Sequence, residues 1–263
     1  MTGARAPANT ALSLAAGVIA LFFLLPLVGL ALRTPWHAVG AQLASGPVVD
    51  ALWLSLQCST AAAILSVAAG LPLAAWLAGG AGWHRTAVRV LVTLPMVLPP
   101  VVGGVALLLA YGRNGIVGHL LDGWFGFALP FTTPGVIVAE TYVAMPFFVL
   151  TAEAGLRSFD RRHAQAAATL GASPWRTFRT VTVPMIAPSL RAGLVVAWAR
   201  ALGEFGATIT FAGNLAGHTR TMPLAVYTAL ETDPAAAIAL SLVLVAVSAA
   251  LLFLLRKQWF PAR

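Results

Sequence analysis

Charged residues are scarce in this 263-residue sequence: 9% are Asp, Glu, Lys or Arg, whereas typical soluble domains have about 25%. Hydrophobic residues make up 59% of the chain, and the mean hydropathy is +0.87. Cysteine occurs once, as Cys58, so the chain can form no internal disulfide. The low fraction of charged residues and the single cysteine exclude an ordinary soluble domain and a fold held by disulfide bonds. Together with the high hydropathy they indicate a membrane protein.

Lysine also occurs only once, as Lys257, and no G-x-x-x-x-G-K-[ST] loop is present, so the chain is not expected to bind ATP itself. The five histidines are scattered without metal-ligand spacing, which argues against a zinc site. An intramembrane enzyme would need a converging acid, base or metal set, and the sequence offers none. We therefore expect neither catalysis nor a resident metal or cofactor in this chain.

Long uncharged runs are abundant, and roughly 20 helical residues cross the hydrocarbon core of a bilayer. The runs are continuous rather than alternating, which argues against membrane-spanning strands. The sequence therefore predicts an all-α integral membrane protein with one domain over residues 1–263 and six transmembrane helices. Their approximate bounds are 11–32, 52–78, 90–111, 132–155, 186–212 and 234–255.

The basic residues predict the orientation, because short loops rich in Lys and Arg stay in the cytoplasm. With an inside N-terminus, twelve of the sixteen basic residues fall in inside segments, including Arg5, Arg256 and Arg263. Both termini are then cytoplasmic, and the longest inside segment is 157–185. This asymmetry explains the net charge of +8 without a nucleic-acid partner. The first run exceeds the usual apolar core of a signal peptide, about 7–15 residues, and is expected to be retained.

The 157–185 segment has the pattern of two short helices. Asp160 is placed to cap the first, "RRHAQAAATL", and Gly171 to end it. The pair Ser173-Pro174 is typical of a second helix start, and Pro184 and Pro188 predict a stop or kink before the fifth span. The first helix carries a shallow apolar face that would let a partner protein approach, formed by Ala164, Ala167, Ala168 and Leu170. An elbow lying on acidic lipid headgroups fits the arginines equally well.

The spacing in this segment resembles a known signature. It resembles the EAA motif of permease subunits in ABC importers. The match consists of Gln165-Ala166-Ala167, three residues, Gly171, nine residues and then "VTVP" at 181–184, with Gln165 where the family usually has Glu. The resemblance implies a coupling helix between the fourth and fifth spans that docks in a groove of a cytoplasmic ATPase. The residues it assigns to this docking are Arg161, Arg162, Gln165, Ala166, Ala167, Leu170, Gly171 and Pro184.

The same resemblance implies the partners. They are a second copy of the chain, two ATPase subunits that bind ATP and Mg, and an extracytoplasmic binding protein, all at a bacterial inner membrane. Residues 199–231, together with "LPMVLPPVVGG" at 94–104 and "YGRNGIVG" at 111–118, are similar to molybdate permeases. Molybdate is therefore the expected substrate, with tungstate also accepted. Sulfate or thiosulfate is the alternative, although sulfate permeases tend to carry Tyr where this chain has Phe205.

Three prolines mark a possible gate, since Pro95, Pro99 and Pro100 interrupt the hydrogen-bond ladder of the third span and Gly103 allows close helix approach. A permanently kinked structural helix is the alternative. Further along, Arg200 and Glu204 stand four residues apart and can neutralise each other. With Phe205 they complete the residues predicted to form the translocation path or its gate.

A carboxylate repels a dianion, so Glu204 is expected to pair or to position the gate and not to bind the substrate. A proton-coupled transporter with Glu140 and Glu204 as proton carriers would require an inverted repeat. None is apparent in the sequence.

Overall fold

A computed structural model describes the backbone of residues 8–259 and the side chains of residues 12–250, 252 and 253. Arg5 and Arg263, used above to predict the orientation, lie outside the described residues, as does the side chain of Arg256. Throughout the described backbone the regular structure is helical. The elements are α1 (Ala8–Arg33), α2 (Trp36–Leu43), α3 (Gly46–Ala78), α4 (Trp83–Val97), α5 (Pro100–Tyr111), α6 (Ile116–Phe125), α7 (Thr133–Ser158), α8 (Arg161–Thr169), α9 (Pro174–Thr177), a π-helical turn (Phe178–Thr182), α10 (Val183–Leu202), α11 (Gly206–Phe211), α12 (Met222–Thr232) and α13 (Pro234–Trp259).

The core forms where α3, α7 and α10 pack together, and small residues make the packing close. Phe148 of α7 is fully buried between two glycines. A Cβ atom on Gly70 of α3 would lie 2.8 Å from the Phe148 ring, and one on Gly193 of α10 would lie 3.2 Å from it. Because lipid tails are as apolar as the helices, membrane helices associate through such close packing and not through hydrophobic exclusion from water.

Four helical stretches are long and apolar enough to cross a bilayer: Leu12–Arg33, Gly46–Ala78, Thr133–Ser158 and Pro174–Leu202. The pair α4 and α5 makes a fifth if it is counted as one span bent by 120°, and Pro234–Ala250 of α13 is a shorter apolar stretch. Three of the predicted spans therefore match long helices closely. Helix α1 is almost entirely exposed, since the rest of the chain buries none of its most apolar stretch.

Two predicted spans differ in their bounds from the helices of the structure. The third span, 90–111, is two helices that meet at Leu98 and Pro99, and its first half begins at Trp83. The fifth span, 186–212, is α10 alone; it begins at Val183 and ends at Leu202, and residues 206–211 form the separate helix α11. Hydropathy could not locate this end, because the residues on both sides of the break are equally apolar.

Candidate coupling segment and translocation path

Helix α8 is closed at both ends by local hydrogen bonds, as the sequence predicts. The Asp160 carboxylate accepts the backbone N–H of Arg162 at 2.9 Å. At the other end Gly171 has φ +79°, its N–H donates to the Ala168 carbonyl, and the Ala172 N–H donates to the Ala167 carbonyl, both at 3.0 Å. This is a Schellman cap, which satisfies carbonyls that a helix end leaves free.

The predicted coupling residues on α8 are mostly exposed. Leu170 is 88% exposed, and Arg161, Arg162, Gln165 and Ala166 are exposed as well. The predicted apolar face needs a correction, because Ala164 and Ala167 are half-buried within the chain, whereas Ala168 and Leu170 are exposed. The surface that α8 offers to a partner is therefore narrower than the alanine pattern indicates, and Leu170 is its largest apolar side chain.

The second short helix begins as predicted, with the Ser173 hydroxyl accepting the Arg176 N–H at 3.3 Å and Pro174 in the first turn. The predicted stop or kink at Pro184 and Pro188 is not a stop. The chain passes through the π-helical turn directly into α10, and Pro184 lies in the first turn of α10 with Pro188 inside that helix. Val183 donates its N–H to the Phe178 carbonyl, five residues earlier. The wider turn lets the helix continue past a proline that has no N–H to donate.

The α9 side of the segment anchors it to the body. Trp175 stacks on Phe178 with ring centroids 5.9 Å apart, and Thr177 and Thr182 are buried. Trp175, Phe178 and residues of α3 including Leu71 and Pro72 line one apolar groove. The segment therefore faces α3 across this groove and continues into α10 through the π-helical turn.

The predicted gate prolines lie at and around the break between α4 and α5. Pro95 is inside the last turns of α4, Pro99 precedes α5 in an extended conformation (φ −54°, ψ 132°), and Pro100 is in the first turn of α5. Gly103 is buried in α5, and a Cβ atom there would lie 3.2 Å from the Tyr142 ring. The predicted interruption of the third span is thus a sharp bend.

A second break lies between α10 and α11, and it holds the predicted ion pair. Arg200 Nη2 is 2.5 Å from Glu204 Oε2, and Glu204 Oε1 accepts the Ala207 N–H at 2.8 Å. Glu204 is 1% exposed and lies beyond the end of α10, so it joins the last turn of one helix to the first turn of the next. The adjacent Phe205 packs against Tyr227, with ring centroids 5.1 Å apart.

The two breaks meet in space, which the sequence did not reveal. A Cβ atom on Gly206 of α11 would lie 2.7 Å from Pro100 Cβ. A Cβ atom on Gly104 of α5 would lie 2.6 Å from Thr210 Cβ and 2.9 Å from the Ala207 carbonyl oxygen. Since neither glycine has room for a side chain of its own, α5 and α11 form one closely packed pair.

Glu140 of α7, named above for the proton-coupled alternative, is 1% exposed, and its Oε2 atom has no hydrogen-bond partner among the described residues. A further group of charged residues was not anticipated. Arg89 of α4 binds Glu153 of α7 through both carboxylate oxygens, and Arg157 binds the same carboxylate. Only the Glu153–Arg157 spacing of four residues was available as a sequence signal, because Arg89 is 64 residues distant from Glu153.

Comparison with known proteins places these features in a family. The model of the binding-protein-dependent transport system inner membrane component family matches residues 70–258, a range that contains the coupling segment and both breaks. The chain is 44% identical to the molybdenum transport system permease protein ModB of Mycobacterium tuberculosis over 234 residues, covering 89% of this chain and 88% of the relative. It belongs to this family of inner membrane transport components.

Other known proteins are similar over most of their length. ModB of Escherichia coli is 38% identical over 218 residues, which cover 83% of this chain and 95% of that protein. A crystal structure of a bacterial ABC transporter that imports the acidic polysaccharide alginate matches with a TM-score of 0.73 at 19% identity, covering 95% of this chain and 93% of that one. The MetNI methionine ABC transporter matches at a TM-score of 0.64 and 20% identity, covering 83% and 100%. At these identities the structural likeness concerns the fold.

Proposed function

We propose that this chain is the membrane-spanning subunit of an ATP-driven importer of molybdate. The observation that carries the proposal is the 44% identity to a molybdenum transport permease over 89% of the chain, a stretch long enough to include the coupling segment and both breaks. Tungstate, a tetrahedral dianion of nearly the same size, is expected to be carried as well. Sulfate transport is the principal alternative.

In this proposal six spans cross a bacterial inner membrane with both termini in the cytoplasm. The two additions to the four long helices are the bent α4–α5 pair and α13. Helix α8 then lies on the cytoplasmic side, where an ATPase subunit binds its exposed residues, among them Arg161, Gln165 and Leu170. Two copies of the chain enclose the path, and an extracytoplasmic protein delivers the anion to the side that carries α6 and α12.

The mechanism follows from the connections within the chain. ATP binding in the partner subunits draws the two copies of α8 together, and α9 and the π-helical turn carry this movement into α10. Because α10 leads into the Arg200–Glu204 pair and α11, the α5–α11 unit shifts with it and opens the path outward. Hydrolysis in the partner subunits reverses the movement and releases the anion inward.

The ion pair has a specific part in this scheme. A lone charge inside a membrane is costly, and pairing lowers that cost for both members. With Glu204 bound to Arg200 and to the Ala207 N–H, the pair positions α11 relative to α10. The carboxylate would repel a dianion, so the substrate is not expected to bind Glu204 directly.

Uptake into vesicles tests the function. The purified chain, its ATPase subunits and its binding protein are reconstituted in vesicles. Uptake of labelled molybdate is then measured in the presence of ATP, under an imposed proton gradient without ATP, and in the presence of ATP and excess sulfate or tungstate. We expect ATP-dependent uptake that tungstate inhibits and sulfate does not. Uptake driven by the proton gradient without an ATPase subunit would refute the ATP-driven importer. Stronger inhibition of molybdate uptake by sulfate than by tungstate would identify sulfate as the substrate.

A further inference from the structure

Helix α4 is held to the rest of the chain by few contacts, and one of them is ionic. No residue of α4 is fully buried; Val88 and Val92 pack partly buried against the α3–α7–α10 core. Between these two valines, Arg89 reaches Glu153 of α7 with Nη2 to Oε1 at 2.6 Å and Nε to each carboxylate oxygen at 3.2 Å. Such a forked arginine–carboxylate contact is both stronger and more directional than a neutral hydrogen bond.

Glu153 also accepts a hydrogen bond from a residue near the end of α7. Arg157, one turn further on, donates from Nε to Glu153 Oε1 at 2.9 Å, and its Nη2 donates to the Leu77 carbonyl at 3.4 Å. Leu77 is fully buried in the last turn of α3, where backbone carbonyls have no partner within the helix. Glu153 and the two arginines, which we call the Glu153 cluster, therefore join the C-terminal ends of α3 and α7 to the middle of α4.

The position of this cluster relates it to coupling. Helix α7 ends at Ser158, only Phe159 and Asp160 separate it from α8, and Asp160 is the cap of α8. In the other direction, α4 leads through the 120° bend into α5, which packs on α11. A displacement of α8 that reaches α7 thus has a direct route to α4 through Glu153, separate from the route through α9 and α10.

We propose that the Arg89–Glu153–Arg157 cluster is a positioning element that transmits the movement of α8 to α4, so that the bend between α4 and α5 opens only when α8 moves. Glu153 is the centre of the cluster, because its side chain is 5% exposed whereas those of Arg89 and Arg157 are 29% and 50% exposed. This inference rests on the proposed function, since it assigns residues to the coupling of that same importer.

Arg89→Gln is the informative substitution. It removes the contact to α4 but leaves Glu153 its partner Arg157, so no uncompensated buried charge is created. Glu153→Gln cuts both contacts. Arg85→Gln is the matched control, because Arg85 lies on the same helix one turn earlier and its guanidinium sits 5.4 Å from the Trp76 ring without contacting Glu153.

The measurement is the number of ATP molecules hydrolysed per molybdate taken up, determined in the same vesicles containing the full complex. We expect Arg89→Gln and Glu153→Gln to hydrolyse ATP at nearly the parent rate while this ratio rises about tenfold, within the range usual for coupling between sites. Arg89→Lys, which keeps the charge but loses the fork, should recover part of the coupling. Arg85→Gln should keep the parent ratio.

An unchanged ratio in Arg89→Gln would overturn the inference, whether uptake and hydrolysis both persist or both fall together. If Arg89→Gln fails to assemble with the ATPase, the same criterion is applied to Glu153→Gln against Arg85→Gln. Absence of ATP-driven molybdate uptake in the parent complex would instead refute the proposed function, so the two failures are distinguishable.

Discussion

The coupling segment and the region where α5 meets α11 both interrupt the apolar helices, but they hold their shapes differently. Helix α8 is fixed by its own caps, at Asp160 and Gly171, and has no buried residue. The α5–α11 pair is fixed by backbone contact across Gly104 and Gly206 and by the buried Glu204. The first region can present a surface without depending on the core, whereas the second can move only together with its neighbours.

This contrast predicts that substitutions in the α5–α11 region reduce the stability of the chain, and that those in α8 reduce docking of the ATPase. Four experiments test it, taken in decreasing order of the expected effect on stability.

Arg200→Gln is expected to have the largest effect. It leaves the Glu204 carboxylate buried without its cation, and breaking a buried ion pair in this way costs about 3–5 kcal/mol in the free energy of unfolding. The double substitution Arg200→Gln with Glu204→Gln should recover much of this loss, because no charge is then stranded. Denaturant unfolding of the purified complex measures both. Equal stability of the single and double variants would contradict the pairing.

Gly104→Ala is expected to come next. The added methyl group would overlap Thr210 and the Ala207 carbonyl, and overpacking of this kind costs about 1–3 kcal/mol. The control is Gly123→Ala in α6, where an added Cβ atom meets nothing within 4 Å. We expect lower unfolding midpoints and slower molybdate uptake for Gly104→Ala only. Similar behaviour of the two variants would argue against close packing of α5 on α11.

Gly171→Ala should strain the cap of α8. A non-glycine residue at φ +79° costs about 1–2 kcal/mol, and the site has no neighbour that the methyl group could contact. Gly217→Ala imposes the same backbone strain at φ +75° in the segment before α12, also in open space. Only Gly171→Ala is expected to weaken co-purification of the ATPase. Equal co-purification of the two variants would contradict a role for α8 in docking.

Leu170→Ser should leave the stability of the chain unchanged, because this side chain is 88% exposed. If Leu170 fills an apolar pocket of the ATPase, its removal weakens docking by about 1.5–3 kcal/mol, the free energy of burying such a side chain. Titration of the ATPase onto the detergent-purified chain measures this. The control is Leu215→Ser, between α11 and α12, and an effect of equal size there would exclude a specific contact at Leu170.

Features that depend on neighbours along the chain were predictable from the sequence. The caps at Asp160, Gly171 and Ser173 were confirmed because they involve residues within a few positions of one another. The long helices followed from the length of the uncharged runs. The Arg200–Glu204 pair followed from a spacing of four residues, although Glu204 lies just beyond the helix that carries Arg200.

Only the tertiary structure determined the remaining features. The helix continues from α9 through the π-helical turn into α10 past Pro184, against the local preference of proline to end a helix. The contact of the two breaks at Gly104 and Gly206, and of Arg89 with Glu153, joins residues that lie far apart in the sequence. The sequence alone thus determined the long apolar helices and the local caps, whereas packing determined which helices bend, which of them meet and which distant residues form ion pairs.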